Sequence, residues 1–127
     1  MIEIVWELLI KQDGAGKFEL VFGPGGAWSK LYGGCDGFRG TTVLRDRENQ
    51  RRYLVVDLWD AHDQRETALA ENDAACADLE ASLDALCESR KELGIFRVLA
   101  QATVRPRSSA GRRRGRDASQ TGRRTSQ

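Results

Sequence analysis

Residues 37–60 read GFRGTTVLRDRENQRRYLVVDLWD, and they decide the fold. The first run, residues 38–45, is rich in Thr, Val and Leu. The second, residues 53–59, is richer still in β-branched and aromatic residues, so both read as strands. Residues 46–52 between them have no apolar member and read as the turn of a hairpin. A strand's period of two puts Tyr53, Val55, Asp57 and Trp59 on one face and Leu54, Val56 and Leu58 on the other. Both faces are apolar, which predicts an inner strand packed on each side. Asp57 falls on the aromatic face, where a carboxylate needs a partner or a purpose.

Working back, residues 2–10 (IEIVWELLI) alternate as a first strand, with Ile2, Ile4, Trp6, Leu8 and Ile10 sharing one face. Residues 15–32 have helical spacing on either side of Gly23-Pro24-Gly25-Gly26. Proline inside a helix removes a hydrogen bond and clashes with the turn before it. A broken helix is expected, with Pro24 opening the second half and Trp28 swung onto the sheet. A phosphate-binding loop is excluded, because the spacing to a Lys-Ser/Thr pair is absent. Gly33-Gly34 ends the segment.

Working forward, Asp60 or Asp63 is placed to cap a helix, and Asp63 with Glu66 resembles a capping box. Residues 61–93 lack Gly and Pro and are rich in Ala, Glu and Leu. Leu69, Cys76 and Leu83 lie seven apart, so the segment reads as one amphipathic helix or two end to end. Gly94 is expected to stop it, and residues 95–104 to form the fourth strand. Pro106 closes a domain of residues 1–104. The rest of the chain has no large apolar side chain to bury and is expected to be a disordered, Arg-rich tail over residues 105–127.

The charge follows that division. The chain has 127 residues, with 20 Lys and Arg against 19 Asp and Glu. Eight Arg and one Asp stand in residues 104–127, leaving +7 there and −6 before. The tail suits weak, salt-sensitive polyanion contacts. It has no aromatic residue for stacking bases, which argues against nucleic acid as the partner. No apolar run is long enough for a membrane span, and residues 1–10 do not read as a signal peptide. Three scattered cysteines argue against a disulfide framework and for a reducing, cytoplasmic setting. A single histidine without a close Cys pair argues against a metal site.

The order strand, helix, strand, strand, helix, strand in about 100 residues is the ferredoxin-like α+β arrangement. Its four-stranded antiparallel sheet has helices on one face. Because the strands are apolar on both faces, a second copy packed sheet to sheet is expected.

The pattern Phe22-Gly23-Pro24-Gly25-Gly26-Ala27-Trp28, then Gly37-Phe38-Arg39-Gly40-Thr41, then Arg52-Tyr53-Leu54, Asp57 and Trp59-Asp60 resembles the antibiotic biosynthesis monooxygenase family. The resemblance covers residues 1 to about 103. It implies a homodimeric α/β barrel with a pocket between sheet and helices in each subunit. It implies oxidation of a phenolic, polyketide-like aromatic by molecular oxygen, with no metal or flavin cofactor. Some members instead degrade haem, with an Asn on the first strand and a His well along the helix. Here residues 1–10 contain no Asn and His62 stands at the helix start, so haem degradation is not expected.

Within that frame Trp6, Trp28, Tyr32, Phe38, Tyr53 and Trp59 offer flat apolar surface for an aromatic ligand, or simply form a small core. Cofactor-free oxygenation needs a base, so His62 and Asp57 are the catalytic candidates. The alternative for His62 is an exposed first-turn residue. For Asp57 it is an ion pair with Arg39 or Arg97. Arg39 is a candidate for holding a phenolate or carboxylate, or is a solvated edge residue. The rival to an enzyme is a non-catalytic ligand-binding or regulatory dimer of the same fold.

Overall fold

The computed structural model describes residues 1–100. Its elements run β1 (Ile2–Ile10), α1 (Ala15–Phe22), α2 (Ala27–Tyr32), β2 (Phe38–Arg45), β3 (Arg52–Trp59), α3 (His62–Glu71), α4 (Asp73–Leu86) and β4 (Cys87–Arg97). The four strands form one antiparallel sheet in the order β2-β3-β1-β4. The ferredoxin-like arrangement is therefore present, with β1 and β3 in the middle. The tail expected over residues 105–127, and the last four residues of the expected domain, lie outside the described residues.

Two-residue alternation decides which side chains meet the helices. From β1 come Ile4, Leu8 and Ile10, and from β3 Val55, Asp57 and Trp59, all buried. The helices answer with Phe18, Val21, Trp28, Tyr32, Ala68, Cys76, Leu79, Leu83 and Leu86. Burying side chains of this size contributes about 1.5–3 kcal/mol each before entropy is counted.

The hairpin turn is built by Asp46. Its Oδ1 accepts the backbone N–H groups of Glu48 (2.7 Å) and Asn49 (3.2 Å), and its Oδ2 accepts from Arg52 (3.0 Å). Arg52 also reaches Glu7 on β1 at 2.6 Å, which ties the hairpin to the central strand.

Four expectations are corrected. The helix stops at Leu86, not at Gly94, and β4 covers residues 87–97 rather than beginning at 95. Residues 87–92 are charged and helix-tolerant, but β1 needs an edge partner over its whole length, and pairing overrides propensity. Gly94 sits inside the strand opposite Val5, beside a bulge that leaves Leu93 unpaired. The second half of the broken helix opens at Ala27 after Gly26, and Pro24 lies in the connecting turn. Finally, α3 is preceded by Ala61 and has no side-chain cap, so the capping box does not form. Of the two readings of residues 61–93, the two-helix one holds, with the break at Asn72.

The turn between α1 and α2 admits no side chain at Gly26. A Cβ there would lie 2.6 Å from the carbonyl oxygen of Val21 and 2.7 Å from that of Leu20. Gly26→Ala is expected to lower stability by about 1–3 kcal/mol in denaturant unfolding, as overpacking does. Gly16→Ala, which meets open space in α1, is expected to raise it by about 0.5–1 kcal/mol. Equal stabilities for the two variants would contradict the packing described.

Candidate functional site

Asp57 stands in mid-β3, opposite Ile4 of β1 on one side and Thr41 of β2 on the other. It is 4% exposed and is the one buried charged residue among the described residues. The first turn of α2 places Trp28 above it, and the indole Nε1–H donates to Asp57 Oδ1 at 2.9 Å. The Thr41 hydroxyl donates to the same oxygen at 2.6 Å. Neither bond uses Oδ2.

Burial pushes the Asp57 carboxyl above its ordinary value of 3.8; the Thr41 and Trp28 hydrogen bonds and the charge of Arg65 offset part of that rise. The alternative of an ion pair to Arg39 does not form. Arg39 is exposed and binds Asp60 through two nitrogens, at 2.7 and 3.0 Å.

An aromatic chain runs along the sheet–helix boundary. Tyr53 stacks on Phe18 (4.1 Å between centroids), Phe18 meets Phe22 (5.0 Å), and Phe22 meets Trp28 (5.0 Å). Trp28 continues to Tyr32 (5.0 Å) and edge-on to Trp6 (6.4 Å), and Tyr32 meets Trp59 edge-on (6.0 Å). Such pairs add about 0.5–1.5 kcal/mol each beyond area burial. The Tyr32 hydroxyl lies 3.4 Å from Cys76 Sγ. Burial first, then the Cys76 contact and nearby negative charge, push the Tyr32 phenol far upward, so it stays protonated.

The sequence-predicted residues therefore separate. Asp57, Trp28, Tyr32 and Trp59 come together in the buried layer. Tyr53 lies at the far end of the aromatic chain, beside an open cleft of about 290 Å³ between α1 and the β2–β3 hairpin. Arg39 lies outside the layer on Asp60. His62, with its side chain 52% exposed, stands 3.5 Å from Glu66 at the start of α3.

Three contributors do not stand out in the sequence as site residues. Thr41 reaches Asp57 through the hairpin register, which the sequence does not print. Cys76 shows in the sequence only as core spacing. Arg65 had a visible signal: it lies four residues before Leu69 and so occupies the inward stripe of α3, where a charge is out of place. With Trp6, Leu69, Cys76, Ala77 and Glu80 it lines a cleft of about 350 Å³ that opens beside α3 and α4. Trp6 Nε1 is buried with no acceptor among the described residues. A larger, more polar groove of about 520 Å³ lies between α2 and α3.

Among the described residues no group of three or more potential metal ligands converges. Nor is any helix there long and apolar enough to cross a membrane.

SnoaB of Streptomyces nogalater, described as a cofactor-independent oxygenase, superposes with a TM-score of 0.65 at 24% identity, over 81% of this chain and 95% of that one. A Deinococcus radiodurans protein provisionally assigned to the antibiotic biosynthesis monooxygenases gives 0.63 at 16%, over 84% and 100%. The fold is that of the antibiotic biosynthesis monooxygenases. The haem degrader MhuD of Mycobacterium tuberculosis, solved with two haems in its active site, shares it at 0.60 and 18%, over 81% and 100%. No protein-family model and no curated protein sequence matches the chain. Within this fold, shared by oxygenase and haem degrader alike, the chemistry of the present chain rests on its own residues.

The Asp57 environment yields a pH-dependent expectation. The folded protein favours the protonated carboxyl. Its stabilising contribution is therefore full below the unfolded value near 3.8 and is lost as pH rises through the higher folded value. Asp57→Asn keeps an oxygen for Trp28 and Thr41 without the buried charge. Its melting temperature is expected to exceed that of the wild type at pH 8, with the gap closing toward pH 4. Asp57→Ala orphans both donors and is expected to cost about 1–3 kcal/mol throughout. A gap independent of pH would contradict the assignment.

Proposed function

We propose that this protein is a cofactor-independent monooxygenase-like enzyme acting on a phenolic, polyketide-like aromatic with molecular oxygen as co-substrate. The observation that carries the reading is a buried, raised-pKa carboxylate, Asp57, held by Trp28 inside an aromatic layer on a fold shared with SnoaB. Oxygenation of a phenol begins with removal of its proton, and a carboxylate held above its ordinary value is a better base than an ordinary one. Asp57 is the proposed base, with Oδ2 as the free oxygen. Trp28, Tyr32 and Trp59 shape the surrounding wall. Tyr53 and Arg39 are peripheral in this reading. Overall, phenol and oxygen give quinone and water: one oxygen atom enters the ring carbon, and the other leaves with the phenolic and ring hydrogens.

The active form is proposed to be a homodimer. The sheet face away from the helices carries Val5, Leu54, Val56 and Leu58, with Leu44 and Phe96 exposed. A second copy packed on it would remove this apolar area from water. Sedimentation at monomer mass across micromolar concentrations would remove this part of the reading.

One observation favours a second reading. His62 faces solvent and is held near Glu66, so a non-catalytic ligand-binding dimer needs no base from it. An oxygen electrode separates the two. Hydroxylated polycyclic aromatics, and haem as a comparison, are screened by thermal shift and each stabilising compound is tested for oxygen uptake. Uptake with a phenolic compound and no added metal or flavin is expected. The expected loss is about 10²–10⁴-fold in Asp57→Asn and slight in His62→Ala. Stabilisation without uptake supports the binding dimer, and full activity in Asp57→Asn overturns the base assignment.

A further inference from the structure

Arg65 is unusual among the twelve Lys and Arg residues of the described chain in where its charge is kept. Its side chain is 13% exposed. Its nearest carboxylate oxygens, on Glu66 and Glu92, are each 3.8 Å away, beyond hydrogen-bond distance. No side-chain hydrogen bond from it occurs among the described residues. A guanidinium has five N–H donors in a planar fork, and withdrawing it from water without partners is costly. Arg90, with its side chain 14% exposed, is spent differently: it binds Glu80 at 2.7 Å and Asp84 at 3.1 Å, and lies 5.6 Å from the Trp6 ring centroid.

The ion pairs of Arg90 bear on Arg65. Glu80 lines the same cleft, and Arg90 already holds it. Asp73 stands in the cleft wall as the other carboxylate. Trp6 forms a flat wall, fixed edge-on against Trp28 and capped by Arg90. The cleft thus joins a planar aromatic surface to a cation with unspent donors.

We propose that Arg65 is the anchor for the phenolate oxygen of a planar aromatic ligand seated against Trp6 in the cleft between α3, α4 and β1. The inference rests on the aromatic-substrate reading above and names the group by which the substrate is held. A charge-assisted hydrogen bond from Arg65 stabilises the ionised phenol over the neutral one. The anchor therefore prepares the ligand for attack on oxygen, and Arg65 takes the position that the sequence had offered to Arg39. The acidic neighbours Glu66, Glu92, Asp73 and Glu80 oppose the effect, so the net shift is a measurable quantity.

The test uses alizarin, a hydroxyanthraquinone whose visible band moves to longer wavelength when its phenol ionises. Bound dye is titrated with pH and compared with free dye. The wild-type protein is expected to lower the dye's ionisation midpoint by about one to three pH units, the range for an opposite charge at close distance. Arg65→Gln is expected to bind the neutral dye and lose the shift. Arg65→Lys is expected to restore part of it, which a merely structural role would not do. Melting curves of both variants establish that they are folded. The anchor is overturned by an unchanged shift in Arg65→Gln, by failure of Arg65→Lys to differ from it, or by absence of dye binding to the wild type. A shift without oxygen uptake leaves the anchor standing and removes the oxygenase. Oxygen uptake indifferent to Arg65→Gln does the reverse.

Discussion

The hydrogen bond from Trp28 Nε1 to Asp57 Oδ1 is the constraint on which the rest of this structure depends. It joins a helix of six residues, too short to hold itself, to the middle of a sheet. Thr41 adds a third element to the same oxygen. With that oxygen fixed, Trp28 can lie between Phe22, Tyr32 and Trp6, and the aromatic chain follows from residue to residue. The glycines before Trp28 serve this placement. Gly25 turns the chain at φ +70°, and Gly26 passes too close to the end of α1 for a side chain.

The same burial creates an electrostatic tension. Desolvation disfavours the carboxylate, while two donors and the charge of Arg65 favour it. The outcome is a group held above its ordinary value without being neutralised by an ion pair. Asn would meet the same two donors without that tension. Arg65 is the link outward. It lines the cleft, and its field reaches Asp57.

The legible part of the fold was the part with simple periodicity. β1 and β3 alternate cleanly, and GPGGAW announces both the helix break and the large side chain it releases. The boundary of α4 and β4 was hidden because residues 87–92 carry no turn signal; only the need of β1 for a partner along its length makes them a strand. The site was half legible. Asp57 stood out as a charge among aromatics. Its partners did not, because Thr41 comes from strand register and Trp28 from a turn whose angle the sequence does not state. Arg65 could have been found as a charge on an apolar stripe, whereas His62 and Arg39 drew attention by residue type and face outward, each against an acidic neighbour.

The most direct measurement is the pH titration of the Trp28 indole N–H by proton–nitrogen correlation NMR, with the resonance assigned through Trp28→Phe. The expected resonance is displaced by its carboxylate acceptor, moves with pH through a midpoint above 3.8 and no longer titrates in Asp57→Asn. A resonance that ignores pH, or one that titrates unchanged in Asp57→Asn, would contradict that expectation.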